Sequence, residues 1–370
     1  MEIFDISPFG VYPPKVGGHI RIHNLNLELS RRGNKIFLFS QCIRAYELKL
    51  HLKSWVTKIN NNYTEYRYVN KVSLGTYFIT DKMGLPPIFA GDVLNLIRPR
   101  ILGQYIERCD VIKVEHPWQF SYIHKINKKN IPIIIVEHNA EFELARNTIK
   151  RFVPKKFYEI TLNKERFALE KSDLIFVTSE EDKKKLVEFF GIDESKFSII
   201  PNGVNIANFQ LSDKIKKEEM KKRMELNEKK VILFIGSKHL PNVEAIGEII
   251  RFSKKIENKN IVFLVAGRGS ETFKNIKKDN ILFTGYIDDI TPYFKAADIA
   301  INPMLSGSGT NIKMLEYMAS GLPVISTPIG ARGLDIVNNE HAIIANIDDF
   351  PEKLEELLND EEMQKNLSQN

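Results

Sequence analysis

Only two cysteines, Cys42 and Cys109, occur in 370 residues, with no Cys-x-x-Cys and no metal-type spacing. A disulfide framework and a structural zinc site are thereby excluded, and a reducing, cytoplasmic setting is expected. No run of 18 apolar residues exists, so no segment reads as a transmembrane helix. The opening MEIFDISPFG has no basic-then-apolar signal and reads as a strand. The dinucleotide fingerprint GxGxxG is missing after that strand, and FLFSQ puts no acid at the end of the next one. Both absences argue against an NAD-type dehydrogenase. No basic motif interleaved with aromatics appears, which leaves nucleic acid as the weakest choice of partner. HExxH is also absent, so the Glu115–His116 and Glu137–His138 pairs give no supported metal site, and none is expected.

What is present is ordinary for a globular protein: 43% apolar and 27% charged residues in 42.7 kDa, enough for two domains. The net charge of +6 is unevenly spread. Residues 1–150 hold 21 Lys/Arg against 13 Asp/Glu, while the remainder is slightly acidic. A basic front half has two readings, peripheral contact with an anionic membrane face or lipid carrier, and a plain solvated surface.

Apolar runs alternate with helical patterns, which predicts α/β architecture with parallel sheets. In the first half the expected strands are 3–7, 35–40, 111–114, 132–137 and 174–178, with helices over 18–32, 90–107, 155–171 and 179–190. In the second half they are 230–235, 261–266, 281–284, 299–302 and 323–326, with helices over 243–254, 289–296, 310–320 and 351–358. Residues 45–80 read as an extra hairpin or an inserted loop around Asn60–Asn62. The segment 83–109 alternates apolar and basic groups as either a membrane-facing or a core helix would. PNGVN (Pro201–Asn205) and the charged stretch Ser212–Lys230 mark a seam, giving domains 1–200 and 201–370, with a solvent-facing helix expected in that stretch.

The most informative segment is SGSGTNIKMLEYMASGLPVISTPIGARG, Ser306–Gly333. A strand runs into a Gly-rich loop that opens a helix near Thr310, a junction suited to phosphate. Thr310, Lys313 and Glu316 would share one helix face. The set fits a nucleoside diphosphate, with loop amides and Lys313 for phosphates and Glu316 for ribose hydroxyls. The alternative is an ordinary turn whose glycines serve packing. Lys238 in FIGSKHLPN and Arg268 in VAGRGS also follow strands and would add cations. The Gly285–Ile287 turn, with Tyr286, could present backbone to a base. In the first half, Gly17–Gly18 open a helix with Arg21 one turn in, and His138 ends the apolar strand in VEHNAEFE. His138 reads either as a substrate contact or as a local cap.

Taken together, PPKVGGHIR, EHNAE, IPNGVN, GSKHLPNVEA, VAGRG, FTGYIDD and GSGTNIKMLEYMASGLPVI make the chain resemble the retaining glycosyltransferases of family 4, typified by glycogen synthase. The resemblance implies the GT-B architecture, two Rossmann-like domains facing each other across a cleft, the first for acceptor and the second for nucleotide sugar. It implies a nucleotide-sugar donor, a saccharide or lipid-linked acceptor, retention of configuration, no cofactor and no required metal. By position, Gly18 would approach the donor phosphate and His138 the donor sugar. Gly309, Thr310 and Asn311 would bind diphosphate through their amides, and Glu316 the ribose. Three departures stand out: Ser308 replaces the first of the family's paired glutamates, as in a branch with GxGTxxKxLE. Ser237 and Asn242 stand where an arginine and a lysine are usual, so Lys313, Lys238 or Arg268 is expected to supply the charge. The chain also stops at KNLSQN, before the usual helix that crosses back onto the first domain. An epimerase or phosphorylase of the same architecture, or a non-catalytic nucleotide-sugar binder, is the alternative.

Overall fold

The computed structural model describes residues 1–14, 17–42, 53–83, 91–148, 155–209, 214–276, 279–307 and 309–370. Ser308 and the segment 84–90 therefore lie outside the described residues. The chain divides into two compact units, Met1–Asn202 and Gly203–Asn370.

The first unit is built on eight strands: β1 (Glu2–Ser7), β2 (Lys35–Cys42), β3 (Trp55–Lys58), β4 (Tyr63–Val69), β5 (Val111–Glu115), β6 (Ile133–Val136), β7 (Leu174–Val177) and β8 (Phe197–Ile199). They lie in the order β3-β4-β2-β1-β5-β6-β7-β8. All pairings are parallel except β3 with β4, which form an antiparallel hairpin around Asn60–Asn62. Of the ambiguous 45–80 stretch, residues 55–69 form a hairpin whose second strand extends the main sheet beside β2, and Lys71–Met83 form a helix that neither expectation included; residues 45–52 lie outside the described residues. The period-2 alternation of a strand sends Phe4 and Ile6 into one core, with Ile112, Val114 and Ile135. Ile3 faces the other, with Ile36, Leu38 and Ile22 of the Gly17–Arg31 helix. Asp5 and Lys113 share that second face, where a charged pair interrupts otherwise apolar strands.

One expectation fails locally. The helix predicted over 90–107 is two helices, Val93–Ile97 and Arg100–Ile106. Pro99 cannot donate to a helical ladder, and Arg98 turns left-handed at φ 45°. Leu94, Leu102 and Ile106 enter the core, while Leu96 is exposed. No helix among the described residues is long and apolar enough to cross a membrane.

The second unit carries β9 (Lys230–Ile235), β10 (Ile261–Ala266), β11 (Ile281–Gly285), β12 (Ile299–Asn302), β13 (Val324–Ser326) and β14 (Ile343–Ile344) in an all-parallel sheet, β11-β10-β9-β12-β13-β14. Both faces are covered, so successive strand residues are apolar: Ile232 and Phe234 go to one core, Val231 and Leu233 to the other. The charged stretch before β9 forms the Lys214–Arg223 helix, and the chain ends in helices Phe350–Asn359 and Glu361–Gln369, the last unanticipated. In each sheet the order reverses at one place, beside β1 in the first and β9 in the second. Loops leaving the carboxyl ends of strands at such a reversal diverge and leave room for a ligand.

Candidate functional site

In the second unit, the loops after β9 and β12 flank the reversal. The expected helix start at Thr310 is two residues early: the helix is Ile312–Ala319. Gly309 is left-handed at φ 67° and Asn311 extended at φ −83°, ψ 100°, so helical backbone begins only at Ile312. Arg332 holds the loop from the far side, donating to the carbonyls of Gly307 at 3.0 Å and Gly309 at 3.1 Å. Ser306 Oγ donates to Glu244 Oε2 at 2.5 Å, tying the loop to the Leu240–Phe252 helix. Asn311 Nδ2 donates to the carbonyl of Gly330 at 3.1 Å, as does Asn302 Nδ2 at 2.9 Å. Thr310 is half-buried between these anchors.

Lys313, on the first turn, points back toward β9. Its Nζ donates to Asn242 Oδ1 at 2.5 Å and lies 4.5 Å from the Phe234 ring centre and 3.8 Å from Met304 Sδ. Asn242 in turn donates to Ser237 Oγ at 3.1 Å. Burial pulls the ammonium's pKa down to about 7, with Glu316 one turn on pulling the other way. The Glu316 carboxyl is pushed up by its own burial, against Lys313. A cation held by one neutral oxygen, an aromatic face and a thioether, with a half-buried carboxylate nearby, lacks a full counter-charge and would gain from an anion.

The other expected cations have partners of their own. Lys238 is ion-paired with Glu271 at 2.7 Å and is 61% exposed. Arg268 stacks over Tyr286 at 4.5 Å, and Tyr286 donates to Asp288 at 2.7 Å. Glu271, three residues beyond Arg268, was not anticipated, although an acid following VAGRGS was there to read. The loops themselves touch: Gly269 N donates to the Gly236 carbonyl at 2.9 Å, and a Cβ on Gly267 would lie 2.6 Å from that same oxygen.

In the first unit neither Glu–His pair holds together: His138 takes the glutamate of the other pair, and His116 takes Glu141. His138 Nε2 meets Glu115 Oε2 at 2.5 Å, and His116 Nδ1 meets Glu141 Oε1 at 3.0 Å. β5 and β6 are adjacent, with Glu115 opposite Val136, which brings the two strand ends together. The imidazoles stack at 4.3 Å and 16°. Burial, then the stacked His116, push His138 down to about 4 against the pull of Glu115, so it is neutral at pH 7. His116 has φ 70°, uncommon for a side chain of its size. Glu137 is buried with both oxygens unpaired; burial and then Glu165, Glu141 and Asp182 raise its pKa well above the usual range. Glu165 accepts the N–H groups of Glu141 and Phe142, both at 2.7 Å, and so caps the Glu141–Thr148 helix.

Gly17 begins the Gly17–Arg31 helix, as the Gly-Gly spacing suggested. A Cβ on Gly18 would make only ordinary contact with Phe9 at 3.5 Å, so the surrounding protein does not demand glycine there. Arg21 is not turned to the loop; it donates to the Ile200 carbonyl at 2.5 Å and Asn202 Oδ1 at 2.9 Å. The loop after β1 is gripped by Glu65, missed in the sequence, which accepts from Val11 N and Tyr12 N at 2.9 Å each. Among the described residues, no three His, Cys, Asp or Glu side chains are grouped to hold a metal ion.

Two parallel-sheet α/β units, each with its reversal flanked by polar loops, define a GT-B protein. The chain spans 99% of itself and 92% of a sucrose-phosphate synthase from Thermosynechococcus elongatus at TM-score 0.74 and 16% identity. It covers 100% of itself and 93% of Anabaena HepE, solved in complex with UDP, at TM-score 0.71 and 12% identity. Residues 17–208, more than half of the chain, match Glycosyltransferase Family 4, and residues 229–360 match Glycosyl transferases group 1. The chain belongs to glycosyltransferase family 4. A similar curated protein is the Escherichia coli UDP-Gal:alpha-D-GlcNAc-diphosphoundecaprenol alpha-1,3-galactosyltransferase, 25% identical over 60% of this chain and 58% of that protein. The chain spans about six-tenths of the length of the first curated relatives it matches.

Proposed function

We propose that this protein transfers a hexose-type sugar from a nucleoside-diphosphate sugar to a saccharide, lipid-linked or other hydroxyl acceptor, retaining anomeric configuration and requiring no metal ion. The observation that carries the reading is the Lys313–Asn242–Phe234 cluster beside Glu316, at the sheet reversal of the second unit. There the Gly309–Asn311 segment and Lys313 take the diphosphate and Glu316 the ribose, with Lys238, Arg268 and Tyr286 at the edge toward the base. Ser308 and Gly17–Gly18 belong to the same reading. His138, neutral and anchored, meets the transferred sugar.

In this scheme the bond from the anomeric carbon to the phosphate oxygen breaks and the bond to the acceptor oxygen forms on the same face. The acceptor proton passes to the departing phosphate oxygen, whose growing charge Lys313 and the loop amides stabilise. A lipid-linked acceptor, with peripheral contact to an anionic membrane face through the basic first unit, is supported by the charge distribution and by the diphosphoundecaprenol acceptor of the E. coli relative.

The test is a thermal-shift panel of UDP, ADP, GDP and their sugars against wild type and Glu316→Ala. A bound ligand raises apparent stability by mass action. A shift with one diphosphate, lost in Glu316→Ala, is expected; an equal shift in the variant would reject the site. Proton NMR of the product's anomeric signal then decides retention.

A further inference from the structure

Beneath His138 runs a line of buried charge. Lys113 Nζ lies 2.7 Å from Glu115 Oε1 and 3.0 Å from Asp5 Oδ2, and donates to Asn26 Oδ1 at 2.9 Å. The Asn26 contact is a hydrogen bond, whereas the two carboxylates lie at ion-pair distance and Glu115 Oε1 accepts no hydrogen bond. Asn26 Nδ2 closes the group by donating to Asp5 Oδ2 at 2.5 Å. Asp5, Asn26, Lys113 and Glu115 are all buried, and Asp5 and Lys113 sit opposite each other across β1 and β5. Stability alone does not ask for such a group, since packed apolar residues commonly do as well in place of buried ion pairs. Its outer end is the carboxylate that holds His138.

We propose that Lys113 is a positioning residue for His138: it keeps Glu115 an anion, which can only accept, and thereby fixes the imidazole as the Nε2–H tautomer. The inference deepens the transferase reading, in which His138 meets the sugar, by stating the hydrogen-bonding sense of the ring. Nε2–H is committed to Glu115, so Nδ1 is the accepting nitrogen of the ring. The environment supports the neutral ring: His116 stacks against it and Arg21 adds positive potential, and both disfavour a second proton. Burial favours protonating Glu115, but Lys113 and then His138 outweigh it and hold the carboxyl well below its usual range. Without Lys113 the buried Glu115 takes up a proton, becomes a donor, and imposes the opposite tautomer.

The tautomer is read directly from 15N–1H long-range correlation spectra of the histidine side chains at pH 7, with the His138 signals assigned by their loss in His138→Gln. Wild type is expected to show the Nε2–H pattern, and an Nδ1–H pattern would overturn the proposal. Lys113→Met is expected to lose the Nε2–H pattern while His116 is unchanged; a retained Nε2–H pattern in the folded variant would overturn it equally. Should Lys113→Met not fold, Lys113→Met combined with Asp5→Asn removes the cation together with one of its two carboxylates and leaves Glu115 in place, and there too a pure Nε2–H pattern contradicts the proposal. These signals do not depend on sugar transfer, so failure of the transferase reading and failure of this inference are separable.

Discussion

Lys313 Nζ and Asn242 Oδ1 are 2.5 Å apart, although the residues lie 71 positions apart in the chain. That contact joins the first turn of the Leu240–Phe252 helix, which follows β9, to the Ile312–Ala319 helix after β12, the two segments flanking the sheet reversal. A neutral amide oxygen is a poor counter-charge, which is why burial pulls this lysine so far down. It has a consequence for pH. Binding of a nucleoside diphosphate should be strongest below about pH 7, where the ammonium prevails, and weaken by up to about tenfold per unit above it. Titration calorimetry with UDP, or whichever diphosphate the thermal-shift panel selects, from pH 6 to 9 checks this. Lys313→Ala should bind weakly with a flat profile over the same range.

The same shift bears on folding with the opposite sign. Between about pH 7 and the ordinary lysine pKa the unfolded chain keeps a proton that folded Lys313 has lost, so ligand-free stability gains with rising pH across that window and levels off below it. Urea unfolding of wild type and Lys313→Met at pH 7 and 9 should show the wild type gaining relative to the variant.

His138 acts in a lower window. With its pKa at about 4, the folded ring stays neutral while the unfolded histidine protonates near 6.5. Stability should therefore fall as pH drops from 6.5 to 4, by on the order of 3 kcal/mol from this group. His138→Gln should lack that slope in urea titrations, and should lower turnover more than donor affinity.

Lys113→Met leaves Asp5 and Glu115 buried without their cation and should cost about 3–5 kcal/mol. Adding Glu115→Gln should recover part of that loss in urea midpoints, because one of the two stranded carboxyls is then gone and Asp5 remains.

Gly267 has φ 96°, and a Cβ there would meet the Gly236 carbonyl at 2.6 Å. Gly267→Ala should destabilise by about 1–3 kcal/mol, measured by urea unfolding, from backbone strain and overpacking together. Gly18→Ala, which meets only ordinary contacts, should leave stability within about 0.5 kcal/mol. If its donor binding falls nonetheless, the glycine is there for the ligand.

Strands such as Lys230–Ile235, Ile261–Ala266 and Ile299–Asn302 stand where their apolar runs end, because a strand buried on both faces leaves an uninterrupted apolar signature. The break at Pro99 was equally available, since proline cannot continue a helical ladder, yet the apolar pattern on both sides suggested one helix. The Ile312 start depended on Gly309 being left-handed, which a glycine permits but does not compel. Within the site, Lys313 and Glu316 were visible as two residues on one face. Glu271 was visible as an acid but its partner Lys238 was not, and Glu65 and Arg332 gave no local signal, because each acts on segments distant in the chain.

The order of residues alone dictated the alternation of strands and helices, the parallel sheets, and the Gly-rich junction ahead of Lys313, since these follow from local periodicity and backbone freedom. Only folding in three dimensions chose the partners. Glu115 takes His138 and leaves His116 to Glu141, and Lys113 settles between Asp5 and Glu115, because strand order brings those ends side by side. Where water is excluded, each charge must find the nearest complement that the sheet presents, and adjacency in the sheet is not adjacency in the chain.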